Sequence, residues 1–359
     1  MKKSIGILLL LFVTILNAQE VKYLNLEDAV LGNYKGLYPE QKSMQWIDDT
    51  DDFIVIENNS VLVNYNLEKR PAFFTLSDLQ NTYPDLKRMP NSFLKITPEE
   101  VFFNHNNTII RYNYINKKVS GVIKYPLEAK NNEFNSNAEA IAYTIENNLY
   151  VATANNPKIV VTAIADKNIV SGQAIARSEM GITKGTFWSP KGNFLAFYQK
   201  DESNVTDYPL VDVTTTPASL NNIKYPMNGM GSEIAKAGVF SMKNQSLIYL
   251  DIDTSDEHYL TNLSWSPDEK YVFLAEVNRD QNHMWFTMYD ATSGKKIKTL
   301  FEEKNDKWVE PEHTAVFLPN NNSEFLWLSE RDGFMNLYKY NINNKNEKEL
   351  TQFNWVIKE

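Results

Sequence analysis

The chain contains no cysteine. That excludes disulfides, thiolate metal sites, cysteine nucleophiles and a lipid anchor through an N-terminal cysteine. Histidine is scarce: His105, His258, His283 and His313 are the only four, so catalytic and metal-binding options are few. Positive charge is in deficit, with 36 basic against 45 acidic side chains and a net charge of −9. A phosphate backbone needs a basic surface, and so does adhesion to anionic lipid, so neither a nucleic-acid partner nor a basic lipid patch is expected. No glycine-rich phosphate cradle occurs, and no cofactor is implied. What is present is aromatic: 19 Tyr, 19 Phe and 7 Trp, enough to argue against disorder and for a large core.

Long apolar runs are also missing beyond the first residues. Lys2 and Lys3 precede an apolar run from Ile5 to Leu16, and Asn17-Ala18-Gln19 offers cleavage after Ala18. A spanning helix needs ~20 apolar residues, so residues 1–18 read as a signal peptide rather than an anchor. The expected product is exported, periplasmic or on the cell surface. Residues 19–40 form an N-terminal segment in which Asn25 caps a short helix that Gly32 ends.

From residue 41 to 359 the texture is β. Short runs rich in Val, Ile, Tyr, Phe and Thr alternate with turn clusters of Asn, Asp, Gly, Lys and Pro. The main helical candidate is Leu67 to Leu86, where a turn start at Ser77-Asp78 competes. An internal repeat sets the architecture. Thr186-Phe187-Trp188-Ser189-Pro190 through Phe197 matches Leu263-Ser264-Trp265-Ser266-Pro267 through Leu274. Degenerate copies begin at Trp46, Phe134 and Phe317, with a weaker one near Phe102. Each reads as strand, tight turn, strand, often with a third strand such as Asn148 to Ala152. The spacing fits blades of ~40 to 50 residues with some long loops. The fold class expected is therefore all-β: a β-propeller of four-stranded antiparallel blades, in an incomplete or open ring. Trp46, Trp188 and Trp265 should then occupy equivalent, buried positions between blades. A β-sandwich with chance Trp-Ser-Pro pairs is the alternative.

The same stretches carry a resemblance. Trp188-Ser189-Pro190-Lys191-Gly192-Asn193, Leu26-Glu27-Asp28-Ala29-Val30-Leu31-Gly32, Lys224-Tyr225-Pro226-Met227 and Ser329-Glu330-Arg331-Asp332-Gly333 resemble the N-terminal propeller of bacterial dipeptidyl peptidase IV, in the prolyl oligopeptidase group of serine peptidases. The resemblance implies an eight-bladed propeller that gates access and holds the substrate's free amino group, followed by a hydrolase domain with a Ser-Asp-His triad. It implies peptide N-termini and that hydrolase domain as partners. The nucleophile elbow Gly-x-Ser-x-Gly occurs nowhere here; Ser232 follows Gly229-Met230-Gly231 but lacks the second glycine. The 359-residue chain is not expected to hydrolyse peptides alone.

The family places a pair of Glu shortly before the Trp-Ser-Pro strand. Here Glu179 matches the second, and Ser178 stands where the first would be, so these two are the candidate substrate-binding residues. One carboxylate can hold an ammonium by a charge-assisted hydrogen bond; a solvated loop Glu beside Arg177 is the plain alternative. The family's early-loop Arg is absent from Phe102 to Asn107, and Arg111 falls in the next strand. Asp48-Asp49-Asp51-Asp52 reads as a hairpin turn without the spacing of a Ca²⁺ loop. Glu310-Pro311-Glu312-His313 reads as a loop, not a metal site. A non-catalytic periplasmic propeller that binds peptides or envelope proteins is the rival function.

Overall fold

The computed structural model describes residues 23, 25–32, 34, 36–37, 42–63, 72–344 and 347–358. The expected signal peptide and its cleavage point lie outside these residues. Asn25 accepts from the Asp28 N–H and so caps the helix Leu26–Leu31, with Gly32 at its C-cap, as the sequence implies. The longer helical expectation shrinks. Among its described residues, 72–86, the helix is Leu76–Thr82, because Thr75 and Asp78 form a capping box that starts it there. The competing turn residues Ser77 and Asp78 are its first turn.

Apart from a single 3-10 turn at Ala176–Ser178, the remaining regular structure of the described residues is antiparallel sheet. Six consecutive sheets span residues 43–75, 95–124, 130–160, 169–249, 258–304 and 316–349. Five of them are four-stranded meanders whose neighbours in space are neighbours in sequence. They are the blades of a propeller, and the core lies between them rather than inside any one. The first and second sheets share the cluster containing Ile54, Phe74, Phe103 and Tyr112. The second and third share Phe102, Ile109, Ile141 and Tyr143. The third and fourth meet at Leu149, Trp188 and Phe197. The fourth and fifth meet at Tyr198, Leu260, Trp265 and Tyr289. The fifth and sixth meet at Phe273, Phe286, Phe325 and Trp327. Among the described residues, none of these clusters joins the sixth sheet to the first, so the blades form an open arc.

The repeat has a physical basis in its turn. Ser189 Oγ accepts from the Phe194 N–H at 2.9 Å, and Ser266 Oγ accepts from the Tyr271 N–H at 3.0 Å. Each serine thus closes the turn that follows its Trp. Each Trp in turn reaches the preceding blade: Trp188 Nε1 donates to Glu133 O and Trp265 Nε1 to Phe187 O, both at 3.0 Å. These two rings are 9% and 8% exposed. Trp46 differs from expectation. It is 68% exposed and packs only edge-on against Phe53, because its sheet is the first of the arc and no described blade precedes it. Phe102 also differs: it lies on the second strand of its sheet, paired with Lys95 of the first.

The fourth sheet departs from the meander in two ways. Its long strand Phe194–Asp201 carries two short partners on one edge, Ile169–Ser171 and Thr186–Trp188. The edge strand is in effect one strand interrupted by an excursion, residues 172–185. Gly185 closes it, since a Cβ there would lie 2.2 Å from the Gln173 backbone. Between Phe194–Asp201 and its next partner Ile234–Ser241 the chain inserts a separate hairpin, Asp207–Asp212 with Ser219–Lys224. This arm explains the long interval between the two Trp-Ser-Pro repeats. Its strands pair with no other sheet and are mostly exposed.

Candidate functional site

The excursion 172–185 carries both candidate residues, so its conformation decides what they can do. Ala176, Arg177, Ser178 and Met180 all have positive φ, between 47° and 66°. Non-glycine residues avoid this region, so such a run needs outside support. Three contacts supply it. The Ala176 N–H donates to Glu233 Oε1 at 2.5 Å. Thr261 Oγ1 of the fifth sheet donates to Met180 O at 2.8 Å. Gly181, at φ 71°, lies so close to the 309–313 loop that a Cβ would sit 2.0 Å from Glu312 O. Asn262 holds that loop in place by donating Nδ2 to Pro311 O at 2.9 Å.

Glu179 sits exposed at the crest of this pinned turn, beside exposed Ser178. Arg177 does not neutralise it. The guanidinium stacks 4.6 Å over the Tyr225 ring and donates Nη1 to Lys224 O at 3.1 Å, at the base of the arm. Among the described residues the Glu179 carboxylate has no hydrogen bond or ion pair within the chain. Its neighbours are other acids. The Glu310 carboxyl is pushed above its ordinary value by partial desolvation and then by the like charges of Glu312, Glu179 and Glu330. Glu179 on the excursion, Glu312 on the loop between the fifth and sixth sheets and Glu330 after the strand ending at Ser329 thus all lie near enough to Glu310 to bear on its charge. Negative potential of this kind attracts a cation, and an ammonium is the cation that can also donate directed hydrogen bonds to a carboxylate.

The sequence singles out Glu179 as a candidate and gives no sign of the acids near it. Glu310 and Glu312 lie in a loop, as their sequence implies, and that loop folds back onto the excursion at Gly181. Ser178 contributes only its backbone N–H to the turn, donating to Ile175 O at 3.0 Å. Arg111 is confirmed as a strand residue, paired to Glu100 at 2.5 Å and Glu139 at 2.6 Å. The acidic turn at Asp48 is the expected hairpin, with Trp46 opposite Phe53. The histidines are dispersed: His105 contacts Tyr83, His258 the Asp256 carbonyl, and His283 the Glu302 carboxylate.

A second concavity, of about 570 Å³, lies on the inner edges of the fourth, fifth and sixth sheets. Trp188, Pro190, Trp265, Pro267, Phe317 and Pro319 line it, so the three repeat turns share one wall.

The chain is similar in sequence and fold to known proteins. The family model for the dipeptidyl peptidase IV (DPP IV) N-terminal region matches residues 103–359. A solved Bacteroides ovatus protein, assigned as a dipeptidyl aminopeptidase IV, is 36% identical with a TM-score of 0.76; the match covers 86% of this chain and 45% of that one. Porphyromonas gingivalis dipeptidyl peptidase 4 shares the fold at 17% identity and a TM-score of 0.70, over 94% of this chain and 50% of its own. Saccharomyces cerevisiae dipeptidyl aminopeptidase B is 24% identical over 89% of this chain and 43% of the yeast protein. The chain spans less than half the length of the curated relatives it matches.

Proposed function

This chain belongs to the family of dipeptidyl peptidase IV N-terminal regions, and from that premise we propose that it is the substrate-gating propeller of an exported dipeptidyl peptidase of the serine type. In this reading the propeller captures the free amino end of a peptide, and a Ser-Asp-His hydrolase domain of the full-length enzyme cleaves the bond. Glu179 is the residue that takes the ammonium. The observation that carries the assignment is the disposition of Arg177: the one cation adjacent to Glu179 in sequence is engaged with Tyr225 and Lys224 O, leaving the carboxylate free on a pinned turn. Glu310 and Glu312 supply the second negative charge that Ser178 does not.

Titration calorimetry of the 359-residue chain with an Ala-Pro-containing peptide, free and N-acetylated, tests this. A charged hydrogen bond contributes about 1.5–3 kcal/mol, so the free peptide should bind about tenfold tighter or more, and Glu179→Gln should abolish the difference. Equal affinity for the two peptides would reject the assignment and favour a propeller that docks envelope proteins. The chain alone should leave a Gly-Pro chromogenic substrate intact; turnover would place the nucleophile in this sequence and overturn the division of labour. Export is tested by N-terminal sequencing of the secreted product, expected to start at Gln19.

A further inference from the structure

The structure assigns to Glu233 the role of positioning residue for the turn that presents Glu179; the assignment rests on the reading of Glu179 given above. Glu233 is a charged side chain only 8% exposed, at the edge of the strand Ile234–Ser241 and outside the acidic cluster itself. Its two oxygens have separate tasks. Oε1 accepts the Ala176 N–H at 2.5 Å. Oε2 faces Lys200 Nζ at 3.3 Å, and Lys200 also pairs with Glu202 at 2.7 Å. A buried carboxylate is costly to desolvate unless paired, so this one is held in place by Lys200 and in turn holds Ala176.

Ala176 is where help is needed. It is the first residue of the left-handed run, with φ 47°, and its N–H points away from any strand partner. An alanine there adopts an unfavourable conformation, and a charge-assisted acceptor offsets that cost. Glu233 and Ala176 are 57 residues apart in the chain, across the arm insertion. The arm's base meets the same turn, since Lys224 O and Tyr225 receive Arg177. Glu233 holds the first residue of the turn and the arm's base holds Arg177, so both supports bear on residues beside Glu179 and neither on its carboxylate.

Two readouts test this separately from the function of Glu179. Arg177 is an exposed trypsin site inside the turn, and cleavage of a native protein tracks the population of its locally opened state. Glu233→Ala should raise the cleavage rate after Arg177 about tenfold relative to the other trypsin sites, beyond the general loss of stability that unpairing Lys200 brings. Glu233→Gln keeps an acceptor for the Ala176 N–H and should stay near the wild-type rate. In parallel, Glu233→Ala should lose the preference for free over N-acetylated peptide to the level of Glu179→Gln, while Glu233→Gln retains most of it.

A wild-type cleavage rate in folded Glu233→Ala overturns the positioning role. So does an unchanged peptide preference in that variant. Should Glu233→Ala not fold, amide exchange of Ala176 in the wild-type chain decides: an unprotected amide contradicts the clamp. If wild-type protein shows no preference for the free amine, Glu179 loses its assignment, whereas cleavage and exchange still report on the turn.

Discussion

The backbone N–H of Lys191 donates to the carboxylate of Glu269 at 2.6 Å, joining the Trp-Ser-Pro turn of the fourth sheet to that of the fifth. Asn193 Nδ2 reaches the other oxygen, also at 2.6 Å. Glu269 is 5% exposed and itself left-handed at φ 64°. Blade order is thereby fixed by a polar contact at the turn as well as by the apolar cluster beside it.

Glu269→Ala should therefore cost about 1–2 kcal/mol, since it removes the charged acceptor of the half-buried bonds from the Lys191 N–H and Asn193 Nδ2. Urea unfolding should show a lower midpoint with an unchanged slope. Glu269→Gln, which keeps one acceptor oxygen, should fall between the variant and the wild type.

The same residue gives a pH signature. Burial alone would raise the Glu269 carboxyl, but hydrogen bonds from Ser189, Asn193 and Lys191 outweigh it and hold the group below its ordinary value of 4.5. Asp268 and Asp290 in neighbouring turns are lowered in the same sense, burial again being outweighed by local hydrogen bonds. With a depressed folded value, the unfolded chain binds more protons in acid, so the stabilisation is full above the ordinary value and disappears as pH falls through the folded one. Midpoints measured from neutral pH down into the acid range should drop below about pH 4.5, and less steeply in Glu269→Gln.

Position in the arc should separate the tryptophans. Trp265 fills an interface, stacks on Phe194 at 5.9 Å and donates to Phe187 O. Trp265→Ala should cost about 3–5 kcal/mol. Trp46→Ala, at an exposed site, should cost less than about 1 kcal/mol in the same chain. Equal losses would mean that the first sheet is covered by another element.

This contrast shows what was legible in the sequence and what was not. The turn after each Trp is closed by a serine next to it in the chain, so the repeat announced itself at Trp188 and Trp265. Whether a blade has a neighbour is a long-range fact, and nothing around Trp46 signals that none precedes it. The arm between Asp207 and Lys224 hid inside a long interval because its strands use the same residues as any blade strand. Glu179 was legible through resemblance alone. The approach of Glu233 and of the loop carrying Glu310 and Glu312 to its turn was not, because the two come from different elements and their local sequence is ordinary loop or strand edge.

Gly181→Ala should perturb the candidate site without touching a carboxylate. The added Cβ meets Glu312 O, and the residue must also keep φ near 71°. The excursion and the 309–313 loop have to separate. Calorimetry should show at least a severalfold loss of free-amine preference, and unfolding a cost of about 1–3 kcal/mol. Retained preference would mean that Glu179 works without its contact to that loop.

Arg177 ties two remote properties to one side chain. Its guanidinium is the natural counter-charge for Glu179, yet it serves as the latch on the root of the hairpin arm. Any force that draws the arm outward is carried into the turn through this latch. The posture of the turn is then a mechanical variable, set by what grips a hairpin whose strands pair with no other sheet among the described residues.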